Sequence, residues 1–230
     1  MSRSFDGVND IINVGNSSGL NNLTSLTYAA WAAPDTSGES NGGKILNKQA
    51  GGSNEKAFGF SNTNTMNLFI QRTTNASASF VEIPDSTWHF YAGTFTNVAP
   101  NSIRLYKDGE EVTYIAQTTG AGTVTTDAAR FQCIGNGAAG TRTWDGLLAY
   151  VHIYNRVLSL GEINQIMFYP GSIRKGLVGF WPLMKDDTVI NDYSGSGYYA
   201  GNVGGSIVGT SEPPINGIFL SPRPELMRSF

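Results

Sequence analysis

One cysteine, Cys133, in 230 residues excludes an internal disulfide framework. Charged residues make up 14% of the chain, well under the ordinary quarter. The 15 Lys and Arg against 18 Asp and Glu leave a formal net charge of −3 with no basic run, so the electrostatic footprint needed to follow a phosphate backbone is missing and nucleic acid is excluded as a partner. No apolar run approaches the ~20 residues of a membrane helix, and the N-terminus lacks a charged start followed by an apolar core; neither a membrane span nor an export leader is expected. Catalytic patterns are also missing. There is no G-x-S-x-G around any serine, and the two histidines, His89 and His152, are too few for a zinc set. No E-x-D-x-E run places two carboxylates on one strand face: Glu110 and Glu111 are adjacent and point opposite ways. An enzyme is not expected.

Glycine is abundant instead, at 28 residues, together with Ser, Thr and Asn, a mixture that suits many short strands joined by tight polar turns. Strands are expected over 4–14, Leu23–Trp31 running up to Pro34, Lys44–Lys48, a hairpin of 58–61 with 66–72 around Asn62-Thr63-Asn64, Trp88–Phe95, and 103–106. The last leads into Asp108-Gly109, a strong hairpin signal. Residues 35–43 read as a loop, and so do the Gly/Thr-rich residues 118–126. In Trp88–Phe95 both faces are apolar, which marks a central strand covered on both sides. Phe131–Gly135 is a strand in which Cys133 is a small buried filler.

The organising stretch is 144–163, WDGLLAYVHIYNRVLSLGEI. A long strand ends in the polar turn Asn155-Arg156, and Ser159 with Glu162 then forms a capping box ahead of Ile163, Ile166 and Met167, predicting one short helix near 159–168. Together with Ser4-Phe5-Asp6-Gly7-Val8-Asn9-Asp10 near the start, Leu26–Trp31, Ile45–Lys48, Trp88–Phe95 and Ile103–Val112, this resembles the laminin-G-like, concanavalin-type lectin family over about residues 4 to 167. The resemblance implies an all-β fold, a two-sheet antiparallel β-sandwich of the concanavalin-like jelly-roll kind. Residues 176–205 resemble the stretch that ordinarily precedes the SFDG strand, so the chain reads as circularly permuted. The expected organisation is a sandwich over 1–170, a segment 171–210 completing it with the permuted strand Leu177–Leu183, and a Pro-rich arm over 211–230.

Calcium is the one cofactor the resemblance implies; none is required by the residues themselves. Asp6, Asp10 and Asp145 match the family's acidic or turn positions, whereas the acidic pair usual in the closing strand falls on Ala149 and Tyr150. Short carboxylates at such places also serve as turn residues. Asp186, Asp187 and Asp192 form a second acidic group whose spacing fits no defined loop. Trp144, Tyr198 and Tyr199, with Trp31, are the aromatic candidates for a glycan platform, the alternative for a sandwich tryptophan being the core. In the arm, Ile218, Phe219 and Leu220 are too apolar to be left in water and are candidates for gripping a partner.

A non-enzymatic role follows. The leading expectation is a structural or surface protein of a bacteriophage virion, such as a capsid decoration, head-fibre or tail component, on the virion surface and acting through contacts with other virion proteins or with itself as an oligomer. The alternative is an extracellular carbohydrate-binding lectin module that uses calcium. Neither reading involves nucleic acid or a membrane.

Overall fold

The computed structural model describes residues 2–50, 53–98, 103–183, 189–203, 205, 207–209 and 211–215. With strands numbered in chain order, eight of the described strands form one antiparallel sheet. Its path is β11 (Glu110–Glu111), β10 (Ile103–Lys107), β9 (His89–Thr96), β3 (Ser25–Pro34), β15 (Asp145–Tyr154), β1 (Ser2–Asp6) and β19 (Ile207–Gly209), with β16 (Leu177–Trp181) also on β15. Nine strands form the second sheet in the order β12 (Ala116–Thr118), β8 (Ala76–Val81), β6 (Thr65–Ile70), β5 (Ser53–Asn62), β4 (Lys44–Ala50), β14 (Phe131–Ile134), β2 (Ile11–Gly15), β18 (Ala200–Val203) and β17 (Val189–Ile190). A small third pair joins β13 (Ala121–Val124) to β7 (Arg72–Thr74).

The sheets pack face to face because their strands alternate. In β6, Met66, Leu68 and Ile70 turn inward while Thr65, Asn67 and Phe69 turn outward. The inward sets of both sheets make one core that includes Phe5, Tyr28, Phe58, Phe60, Tyr91, Phe95, Trp144 and Trp181. A second apolar layer lies on the other side of the eight-stranded sheet, where Trp31, Phe90, Tyr154 and Phe180 are covered by Ile163, Ile166 and Met167 of the helix α1 (Leu160–Phe168). This explains the apolar residues on both faces of β9: Tyr91 and Phe95 enter the core between the sheets, and Phe90 and Ala92 lie under the helix.

The capping box forms as expected. Ser159 Oγ accepts from the Glu162 N–H, and the Glu162 carboxylate accepts from the Ser159 N–H at 2.9 Å. Arg156 also grips Glu162 through two bonds of 2.9 and 2.6 Å. That contact and the Ser159 N–H hold the carboxyl down at about 2.

Strand β15 has two neighbours end to end on one side. Its first half pairs with β1 over Asp145–Leu148, and its second half pairs with β16 over Val151–Tyr154. The strand from near the C-terminus thus continues the line of the strand from the N-terminus. The Asp108-Gly109 hairpin adopts the left-handed turn its sequence demands, with φ of 52° and 83°. The Gly/Thr stretch differs from expectation. Instead of a bare loop it holds β12 and β13, which pair along their backbones with β8 and β7 while their side chains stay mostly exposed, so the apolar pattern that signals a strand is absent.

Candidate functional site

The outward face of the nine-stranded sheet is polar. Because inward Leu46, Phe58 and Leu68 fix the pleat, the intervening Asn47, Ala57 and Asn67 turn away from the core. Two loops rise beside this face and convert it into a cleft of about 400 Å³. Its floor is Lys44, Ala57, Ser61, Asn67, Phe69 and Gln71, and its rim is Ser40, Gly42 and Arg142. The Arg142 rim is built by Asn136, fully buried, whose Oδ1 accepts from the N–H groups of Gly137 and Arg142 at 2.7 and 2.9 Å. Gly42 matters here because a Cβ would stand 2.6 Å from Arg142 Cδ; its absence lets the arginine lie across the rim. Glu39 braces the two loops by accepting from the Thr143 N–H at 3.1 Å.

The electrostatics of the cleft are one-sided. Lys44 is buried, donates to the Phe60 carbonyl, and is held down at about 8, first by burial and then by the positive charge of Arg142. Among the described residues no Asp or Glu lines the cleft. Among the described residues neither Lys44 nor Arg142 forms an ion pair. Asn67 Oδ1 and Gln71 Oε1 are buried acceptors without a partner among the described residues. Such groups favour a bound polar ligand or ordered water. Phe69, half-buried, supplies an apolar surface beside them.

The residues singled out from the sequence lie elsewhere. Trp144 is corrected from platform to core: just ahead of β15, it is fully buried in the cluster between the sheets and stacked on Phe60 at 5.5 Å. Trp31 is likewise buried, with its indole N–H on the Met167 carbonyl at 2.9 Å. Tyr198 is partly buried against the core and its carbonyl accepts from Trp181 Nε1. Tyr199 is 63% exposed and borders a separate depression of about 380 Å³ with Arg174, Asn191 and Tyr193. The carboxylate there, Asp192, is already saturated by the N–H groups of Phe180, Ser194 and Tyr198 and the Ser194 hydroxyl. Ile218, Phe219 and Leu220 lie outside the described residues, as do Asp186 and Asp187.

Asp6 and Asp145 are cross-strand partners, and Asp10 is close to Asp6. Their oxygens, however, hold protein donors. Asp6 Oδ1 accepts from Val8 and Asn9, Asp10 Oδ2 from the Asp6 N–H at 2.8 Å, and Asp145 Oδ2 from the Thr36 hydroxyl at 2.7 Å. Burial and then the neighbouring Asp6 carboxylate raise Asp10 above the usual carboxylate range. Among the described residues no three His, Cys, Asp or Glu side chains are arranged to hold a metal ion. The trio does not fit a calcium shell of six or more oxygens, and each member acts as a turn or loop brace. Ala149 and Tyr150 sit at an irregularity of β15, under the outer apolar layer.

These observations define a two-sheet antiparallel β-sandwich of the concanavalin-like kind with a polar cleft on the open face of one sheet. The chain belongs to the concanavalin A-like lectin/glucanases superfamily, whose family profile matches residues 6–164. No curated protein matches the chain. Among solved structures it is similar to a candidate carbohydrate-binding protein from Bacteroides ovatus ATCC 8483, with TM-score 0.66 and 19% identity, covering 93% of this chain and 60% of that one. It is also similar to a heptameric SAP-like pentraxin from Limulus polyphemus, with TM-score 0.56 and 14% identity, covering 87% of this chain and 94% of that one. The chain thus spans about three-fifths of the Bacteroides protein.

Lys44, Asn67, Gln71 and Arg142 were missed by sequence reasoning. The alternation of 65–70 carries a usable signal, since its outward members include an amide and an aromatic; Arg142 carries none, because only the folded loop brings it to the sheet.

Proposed function

We propose that this domain is a non-enzymatic carbohydrate-binding module whose ligand carries negative charge, seated in the cleft between Lys44 and Arg142. The observation that carries this reading is a cleft lined by two cationic side chains, with no carboxylate among the described residues that line it, in a chain of net charge −3. Two unpaired amide oxygens accept from saccharide hydroxyls, Phe69 packs against a ring face, and the two cations hold a carboxylate or sulfate. The virion surface expected from the sequence is a setting in which such a domain meets host glycans, and it remains part of the proposal.

Titration calorimetry with uronic-acid, sialylated and neutral oligosaccharides tests it. Acidic sugars should bind and neutral ones should not, and Lys44→Gln or Arg142→Gln should weaken binding about tenfold, corresponding to a lost charge-assisted bond. Because Lys44 loses its proton as pH rises through about 8, affinity should fall between pH 7 and 9. Equal binding of neutral and acidic sugars, or variants that bind like the wild type, would refute the assignment.

A further inference from the structure

Lys48 on β4 and Lys56 on β5 are cross-strand partners on the inward side of the nine-stranded sheet, one step along from the core pair Leu46 and Phe58. Both are fully buried, and both approach one carboxylate, the equally buried Asp127, in the loop between β13 and β14. Lys56 Nζ donates to Asp127 Oδ2, and no other acceptor serves it among the described residues. Lys48 Nζ lies 3.6 Å from Asp127 Oδ1 and also donates to the Leu20 carbonyl at 2.6 Å and to Asn21 Oδ1 at 2.5 Å. The Asn22 N–H donates to Asp127 Oδ1 at 2.7 Å. Two ammoniums and one carboxylate are thus held in a dry interior, and the Lys56 ammonium has three donors facing one oxygen.

We propose that Lys56 Nζ and Asp127 Cγ condense into an intramolecular isopeptide bond. A proton passes from Nζ to Oδ2 along the existing hydrogen bond, turning the ion pair into an amine and a carboxylic acid. Nζ then attacks Cγ, forming the new N–C bond. The negative charge that develops on Oδ1 is met by the Asn22 N–H, which already donates to it, and by the positive charge of the Lys48 ammonium 3.6 Å away. The Cγ–Oδ2 bond breaks and Oδ2 leaves as water, taking the proton it received and a second one from Nζ. The product is a neutral amide with one N–H, and no oxidant, metal or cofactor takes part. The bond removes one buried charge of each sign and leaves Lys48 facing Leu20, Asn21 and the amide oxygen. In a chain with a single cysteine, it ties β5 covalently to the loop that leads into β14.

Intact-mass spectrometry of the denatured full chain tests this directly. The wild type is expected to be lighter than its sequence mass by one water, and digestion should yield a branched peptide joining Lys56 to Asp127. Lys56→Arg keeps the charge but supplies no amine nucleophile, and should restore the full sequence mass; Lys48→Gln should leave a mixture of linked and unlinked chains that converts on standing. A wild type at full sequence mass overturns the proposal. So does a water loss that persists in Lys56→Arg, which would locate the dehydration elsewhere, for instance at an Asp-Gly step.

Discussion

His152 should make the fold sensitive to mild acid. Its ring is fully buried between Phe180, stacked at 4.3 Å, and Tyr154, and its Nε2 accepts the Gly171 N–H at 3.1 Å. Burial pushes the imidazole down to about 3, against about 6.5 in the unfolded chain. The unfolded state therefore binds more protons between pH 3 and 6.5, and stability, complete above that window, falls as pH drops through it. At ~1.4 kcal/mol for each pH unit below 6.5, His152 alone removes about 2 kcal/mol at pH 5 and about 3 kcal/mol at pH 4. For a domain of this size the pH 5 loss corresponds to a drop of roughly 4–8 °C in Tm. Thermal unfolding at pH 7.5, 6, 5 and 4 should be compared with that of His152→Gln, whose amide oxygen can accept from Gly171 and does not titrate. The variant should be less stable at pH 7.5, because the stacking is lost, and should show a flatter pH profile. His89 and every carboxylate are common to both proteins, so the difference isolates His152. Parallel profiles from pH 7.5 to 4 would refute the reasoning.

Trp144→Ala should cost about 3–5 kcal/mol as a core deletion, while Trp144→Phe should cost less than half as much; a Trp144→Ala protein that melts like the wild type would contradict its place in the core. Glu162→Gln removes the charged partner of Arg156 and weakens the cap, and because the pair is partly exposed the loss should be only about 1 kcal/mol in chemical denaturation. Ending the chain after Lys175 removes β16 to β19 and uncovers the Val151–Tyr154 edge, so the product should aggregate. A soluble, cooperatively melting truncation would show that β15 does not need its second partner.

The sandwich and its single helix were readable because both rest on local rules. Alternation declares a strand with one buried face, Asp-Gly declares a left-handed turn, and Ser159 with Glu162 declares a helix start; each depends on neighbours within a few residues. The double apolar face of β9 was readable too, but not what covers its outer side, because α1 is more than sixty positions downstream. The place of Trp144 was not readable for a related reason. A tryptophan has the same composition signal in a core as on a platform, and only the packing of the two sheets shows Trp144 buried between them.

The sequence by itself determined the class of fold, the turns and the helix cap, all properties of short-range pattern. Only the tertiary structure decided the site, since Lys44, Asn67 and Gln71 meet Arg142 after strand pairing and a folded-over loop bring distant segments together. It also decided that Lys48, Lys56 and Asp127 share one dry pocket. The physical reason is that electrostatics acts through space, whereas pattern acts along the chain.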